Sequence, residues 1–317
     1  MAIDSYDGYS SIQLLYRLRF IELLRQIEQQ YEGISDDLKD RIEDIIQRFV
    51  NSDGNISKKD LEAIKQEIDS VTFWFSKTYG EWINQNISQS IDLAILGQDT
   101  AATYFIKRMV SAGQIAAGTE GAIYKKVLIQ QQYGSGLNNA VRQGVWNKRW
   151  EDGFTLSDRV WTMDKTLRQN LHGMIEQCAN EGRSAVEFSR AVEKYLMDPG
   201  PKWTTGIKPA ITERGTLRYN ALRLARTENN QAFQRAQDIS ARNSAIVKGQ
   251  RWNLSKSHPK KDICDVWASQ DIHGLGPGVY RVGEHPIDHP NGLCYLTDEL
   301  YRGQELIEVL KKKYKVA

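Results

Sequence analysis

Four of the five histidines and two of the three cysteines crowd into one stretch: His258, His273, His285 and His289, with Cys264 and Cys294. Thiolates and imidazoles are the ligands that zinc prefers, and a loop-rich segment with little core of its own gains order by gathering them around an ion. Cys264, His289 and Cys294, with His258 or His285 as a fourth ligand, could make such a set. Zinc is therefore the one cofactor these residues suggest. The spacing is not that of a zinc finger, since no Cys-x-x-Cys pair occurs. The competing reading makes Cys264 and Cys294 small buried apolar groups, with the histidines hydrogen-bonding the loop.

Other chemistries find less. Asp288-His289-Pro290-Asn291 has the His and Asn of a ββα-metal nuclease, but the helix expected after it, ELYRGQELIEVLKKKY, holds neither His nor Asn for a second ligand. There is no HExxH and no phosphate-cradling GxxxxGK[ST] loop. The glycine run GLGPG at 274–278 has no strand leading in and no helix following. Asn51, Asp53, Ile56, Ser57 and Asp60 partly imitate a calcium loop around Gly54. However, Phe49 would stand at the first ligand position and Asp60 at the last in place of a bidentate Glu. A helical hairpin with Ser57 as N-cap is the better account. No catalytic set emerges, and the expectation is a protein that is not an enzyme.

The elements that must carry these residues divide at the prolines. All seven lie at or beyond Pro199, so the stretch before them is free to form long helices. Ile12, Leu15, Leu18, Leu23 and Ile27 approximate one helical stripe, and Leu38, Ile42, Ile45, Ile46 and Phe49 another. Helices are predicted over 61–69, 72–96, 99–117, 120–133, 136–147 and 156–178, with another entered through a Ser184–Glu187 capping box. Residues 199–212 read as a Pro/Gly linker. A long helix over 215–244 follows, then a strand over 247–254, a loop-rich stretch, a short strand over 293–297 after the Asn291-Gly292 turn signal, and a helix over 299–313. The expected fold is mainly α, a large helical region over 1–198 followed by a small loop-rich α+β domain over 213–317.

With 317 residues, 40% of them hydrophobic, the chain can bury a sizeable core. No apolar run is long enough to span a membrane, the opening residues have no secretory pattern, and the odd cysteine count fits a reducing site of synthesis. A net charge of +2 conceals a split. Residues 1–200 hold 23 Lys+Arg against 28 Asp+Glu, a balance of −5, and residues 201–317 hold 19 against 12, a balance of +7. Nucleic acid is one candidate partner for the basic part. Arg218, Arg223, Arg235, Arg242, Lys260 and Lys261 are the candidate contacts, although solvated helix faces would look the same.

In the basic part the order LARTENNQAFQRAQ, a strand with Trp252, WNLSKSHPKKDICDVWA, GLGPGVY and HPIDHPNGLCYL resembles the phage minor head, or head-morphogenesis, group with a Mu F-like C-terminal domain. The likeness covers about the last hundred residues, with weaker agreement back to about residue 155. The family's Arg-Thr-Glu falls on Arg226, Thr227 and Glu228, its Asp-x-Cys on Asp262 and Cys264, and its closing His-Pro…Cys on His289, Pro290 and Cys294. Many relatives end HPxCxC; here Gly292 occupies the first Cys position. The resemblance implies a virion component assembled in the host bacterial cytoplasm and seated in the capsid near the portal. Its partners would be the portal protein, major capsid or scaffold proteins and double-stranded DNA, with no membrane. Two alternatives remain: a metal-dependent nuclease or effector enzyme on the same C-terminal domain, and a stand-alone nucleic-acid-binding protein.

Overall fold

The computed structural model describes residues 5–115, 128–150, 152–198, 206–211, 215–256, 258 and 261–314. Helices α1 (Ser5–Phe49), α2 (Leu61–Ser111), α3 (Ile129–Trp146), α4 (Leu156–Glu181), α5 (Ala185–Met197) and α6 (Leu217–Asn243) come first. Strand β1 (Val247–Asn253), the short helix α7 (Ile263–Ser269), strands β2 (Val279–Tyr280) and β3 (Tyr295–Leu300) and helix α8 (Gly303–Tyr314) complete the chain. This is a large helical N-terminal region with a small antiparallel sheet near the C-terminus.

The helices are longer than local spacing predicts. The stripes over 12–27 and 38–49 belong to one helix, because Ile27, Tyr31, Leu38, Ile42 and Ile45 keep burying the same side across the polar stretch between them. The three segments over 61–117 likewise fuse into α2, and the segments over 120–133 and 136–147 meet inside α3, whose preceding residues 116–127 lie outside those described. The break expected after residue 96 is absent because Gly97 serves packing: a Cβ there would come within 2.8 Å of Tyr16 Cβ. Capping fixes the next two helices. Thr155 with Asp158 opens α4, Gly182 closes it in the left-handed conformation, and Ser184 with Glu187 opens α5. The segment resembling a calcium loop is a turn whose Asn51 Oδ1 accepts from the Asp53 and Asn55 amides, while Ser57 caps a single 3-10 turn.

Two compact units form, each discontinuous in sequence. One gathers residues 25–85 and 146–225; inside it Tyr31, Tyr79 and Trp82 meet ring to ring and Arg218 binds Glu28 and Glu32. The other gathers residues 1–24, 86–145 and 226–317. Helices α1, α2 and α6 each contribute a stretch to both units. Within the second of these, Tyr9, Ala101, Phe105 and Met109 share a core with Ile246, Leu300, Leu306 and Leu310.

In that unit the sheet order is β2-β1-β3, all antiparallel. Gly249 of β1 has no room for a side chain, since a Cβ would lie 2.7 Å from the Tyr280 carbonyl. Strand β3 runs three residues past its predicted end because Leu296, Asp298 and Leu300 alternate inward, and α8 starts only at Gly303. Asp298 is buried among neutral partners. Tyr9 donates to its Oδ2 (2.7 Å), Gln250 donates to its Oδ1 (3.3 Å), and its own amide donates to Gln13 Oε1 (3.0 Å). Desolvation pushes this carboxyl from 3.8 up to about 6, against the pull of the donors.

Two outcomes follow from these contacts. In α1, Gly33 faces open space, so Gly33→Ala is expected to stabilise by about 0.5–1 kcal/mol through helix propensity. In α2 the same change at Gly97 gains as much but must displace Tyr16, and overpacking of about 1–3 kcal/mol wins. Thermal unfolding should therefore show a raised Tm for one and a lowered Tm for the other. Asp298, raised in the folded state, stabilises most below about pH 4, and this contribution is lost as the pH climbs through about 6. Above that the burial costs on the order of 3 kcal/mol. Asp298→Asn should flatten the stability-against-pH curve between those values and raise Tm at pH 8.

Candidate metal centre

Strand β1 ends and β3 begins beside the segment that holds the cysteines. Cys264 lies in the first turn of α7, a helix that the sequence reading left as loop. Asp262 caps that helix, its Oδ1 accepting from the Cys264 amide (2.7 Å) while Asp265 returns the bond to the Asp262 amide (2.9 Å). The Asp-x-x-Asp pattern at 262–265 was the available signal for it. Cys294 precedes β3 and is buried, as is Cys264. Between them stands Asp288, 2% exposed, with Cys264 Sγ 3.7 Å from its Oδ1.

Two sets of possible ligand atoms share Cys264: Cys264, Asp288 and Cys294, all buried, and Asp262, Cys264 and His289. Within each set the atoms lie within 4.8 Å of one another. The His289 imidazole has its Nδ1 3.1 Å from the Pro290 carbonyl, which favours the tautomer with a lone pair on Nε2. That Nε2 is shielded from solvent, makes no hydrogen bond, and lies 3.2 Å from Asp262 Oδ2. A third set, His258, Asp262 and Asp265, carries no sulfur. His258 Nε2 sits 2.9 Å from Asp265 Oδ2, and that contact holds its pKa above the ordinary 6.5. His258 is thereby tied to the α7 cap and does not join the cysteines. His285 pairs with Asp238 and His273 lies near Glu284.

The groups that orient the centre come from α6 and α1. Asn230 Nδ2 donates to Asp288 Oδ2 (2.9 Å), and its Oδ1 accepts from Arg17 Nη1 (2.8 Å). Arg17 Nη2 also donates to the Leu293 carbonyl (2.6 Å), and its guanidinium lies over the rings of Phe20, Phe233 and Tyr295. Gln231 donates to the Asp288 carbonyl (3.1 Å) and Gln234 to the Cys294 carbonyl (2.7 Å). Burial dominates the ionisation here. It raises the pKa of Asp288, Cys264 and Cys294 and lowers that of Arg17 to about 10. Gly292 leaves the carboxylate its place, since a Cβ at 292 would fall 2.2 Å from Asp288 Oδ1.

The remaining motif residues converge on the same loop. Arg226 Nη1 donates to Asn291 Oδ1 (2.7 Å), and Thr227 Oγ1 accepts from the Asn291 amide (2.8 Å). Asn291, with φ of 65°, is thus held as a turn residue. Glu228 is fully buried, and Trp252 on β1 meets Trp267 edge-on at 5.2 Å. Arg218 and Arg242 are committed to carboxylates, Glu28 with Glu32 and Asp238 respectively. Arg223, Arg235 and Lys261 are exposed, and Lys260 lies outside the described residues. The residues that sequence reasoning missed are Arg17, Asn230, Gln231 and Gln234. For the last three the signal was the amide run on α6 where an apolar stripe was due.

No protein-family model, curated protein or solved structure matches the chain. Among the described residues, no helix is long and apolar enough to cross a membrane. Asn230→Ala would leave both Arg17 and Asp288 without their shared partner, and each buried orphan costs about 1–3 kcal/mol. A loss of about 2–4 kcal/mol in urea unfolding is the expected result, and a loss below 1 kcal/mol would show that water replaces the amide.

Proposed function

We propose that the chain is a structural component of a virion rather than an enzyme. Within that class it is read as a minor head protein of the Mu F-like head-morphogenesis group, seated near the portal, in contact with the portal protein and with major capsid or scaffold proteins. One observation carries the reading. Arg226-Thr227-Glu228, Asp262-x-Cys264 and His289-Pro290…Cys294, far apart in sequence, meet one another through Asn291, Asp288 and the two thiols. Residues that make each other's contacts in this way define a folded module, and the resemblance rests on that same set. The buried position of Cys264, Asp288 and Cys294 also favours a structural role over catalysis, which needs substrate to reach the reacting atoms.

Contact with packaged duplex DNA falls, in this reading, to the exposed Arg235 and Lys261. Arg218 and Arg242 are withdrawn from it by their ion pairs. Such binding would be electrostatic and indifferent to sequence.

The test is co-expression with the portal and major capsid proteins of a phage of that group. A complex of fixed stoichiometry with the portal ring is the expected result. A chain that ignores the portal and cuts plasmid DNA when given a divalent metal would favour the enzyme instead. Tight duplex binding with a steep salt slope, in the absence of any capsid protein, would favour a stand-alone nucleic-acid-binding protein.

A further inference from the structure

We infer that Cys264, Cys294, Asp288 and His289 form a tetrahedral zinc site that fastens α7 and the loop before β3 to the sheet. This inference does not depend on the virion reading. The two thiols and the Asp288 carboxylate already lie within 4.8 Å of one another and are buried. Two sulfurs with one oxygen and one nitrogen are a donor set that suits zinc and would suit magnesium or calcium poorly. His289 supplies the fourth ligand. One of its ring nitrogens is within 4.8 Å of Cys264 Sγ, and its Nε2, cut off from solvent, faces Asp262 Oδ2 at 3.2 Å, so the ring has to turn from that carboxylate to complete the tetrahedron.

Two features outside the ligand set point the same way. The first is orientation: Asn230 holds the Asp288 carboxylate at 2.9 Å and Gly292 keeps the space that carboxylate needs. Ligating carboxylates are commonly hydrogen-bonded by such an outer group. The second is charge. Arg17 is a buried guanidinium bonded to an amide oxygen and a carbonyl, and the opposite charge that acts on it most is that of Asp288, one of the ligands. A zinc ion held by two thiolates, one carboxylate and a neutral imidazole carries one net negative charge. Joined to Arg17 through Asn230, it provides the counter-charge that a buried cation requires. On binding, the ligands' protons leave to solvent and no oxidation or reduction takes place.

The site excludes His258. That ring is engaged with Asp265, and the set it would form with Asp262 and Asp265 has no sulfur.

The experiment uses the full chain, purified under reducing conditions from zinc-supplemented cells. The expected result is one zinc per chain. Replacement by cobalt should give thiolate-to-cobalt charge-transfer absorption together with the intense visible bands of a tetrahedral ion. Cys264→Ser, Cys294→Ser and His289→Ala should each weaken zinc binding by at least about a hundredfold, and Asn230→Ala by about tenfold, as for an outer-shell change. His258→Ala should leave stoichiometry and spectrum as they were. A wild-type chain that retains no metal, or a cobalt spectrum without the sulfur band, overturns the site. So does a folded Cys264→Ser protein that binds zinc as tightly as the parent. Should the cysteine variants fail to fold, the wild-type cobalt spectrum alone decides.

Discussion

A single amide, Asn230, stands between a buried cation and a buried acid. Its oxygen takes Arg17 and its nitrogen holds Asp288, with the Gly292 and Cys294 carbonyls close to the same nitrogen. Neither charged group could be left in this interior without such a partner, because an uncompensated buried charge costs several kcal/mol. The demand propagates outward. Gln231 and Gln234 secure the backbone of the loop that brings Asp288 and Cys294 into place, and Thr227 with Arg226 fixes Asn291 at its tip. The loop has little apolar content to order it. Side-chain amides on a rigid helix do so instead, and this is why α6 is polar on a face that is buried.

Much of the fold was legible. Proline placement gave the helical N-terminal region, and the capping box at Ser184 and the turn at Asn291 fell where the residues put them. Local spacing failed at the junction after residue 96, where it placed a break that the folded helix does not have. At Gly97 the residue instead admits a neighbouring ring, a tertiary requirement with no local trace. The site was half legible. Residue type drew attention to Cys264, Cys294 and His289, but histidine count also drew in His258, whose partner is the cap of a helix that was read as loop. Arg17 could not have been found from spacing at all. It lies 276 residues from the carbonyl it binds, and nothing in the first helix marks it apart from other arginines.

The charge split also takes on a different meaning once partners are assigned. A basic segment suggests an electrostatic surface, yet Arg218, Arg242 and Arg251 neutralise carboxylates of their own chain. Exposed ion pairs of this kind contribute little to stability. Their consequence here is to reduce the positive field below what the sequence count implies, leaving fewer cations for any polyanion.

The unit that holds the cysteine loop is built from residues 1–24, 86–145 and 226–317. During synthesis it cannot close until its final strand has left the ribosome, since β1 has to wait for β3 and Arg17 for Leu293. The unit made of residues 25–85 and 146–225 has all its parts earlier. The nascent chain therefore carries an unsatisfied arginine and two unpaired thiols through most of translation. That interval is where a chaperone, or oxidation, has its access.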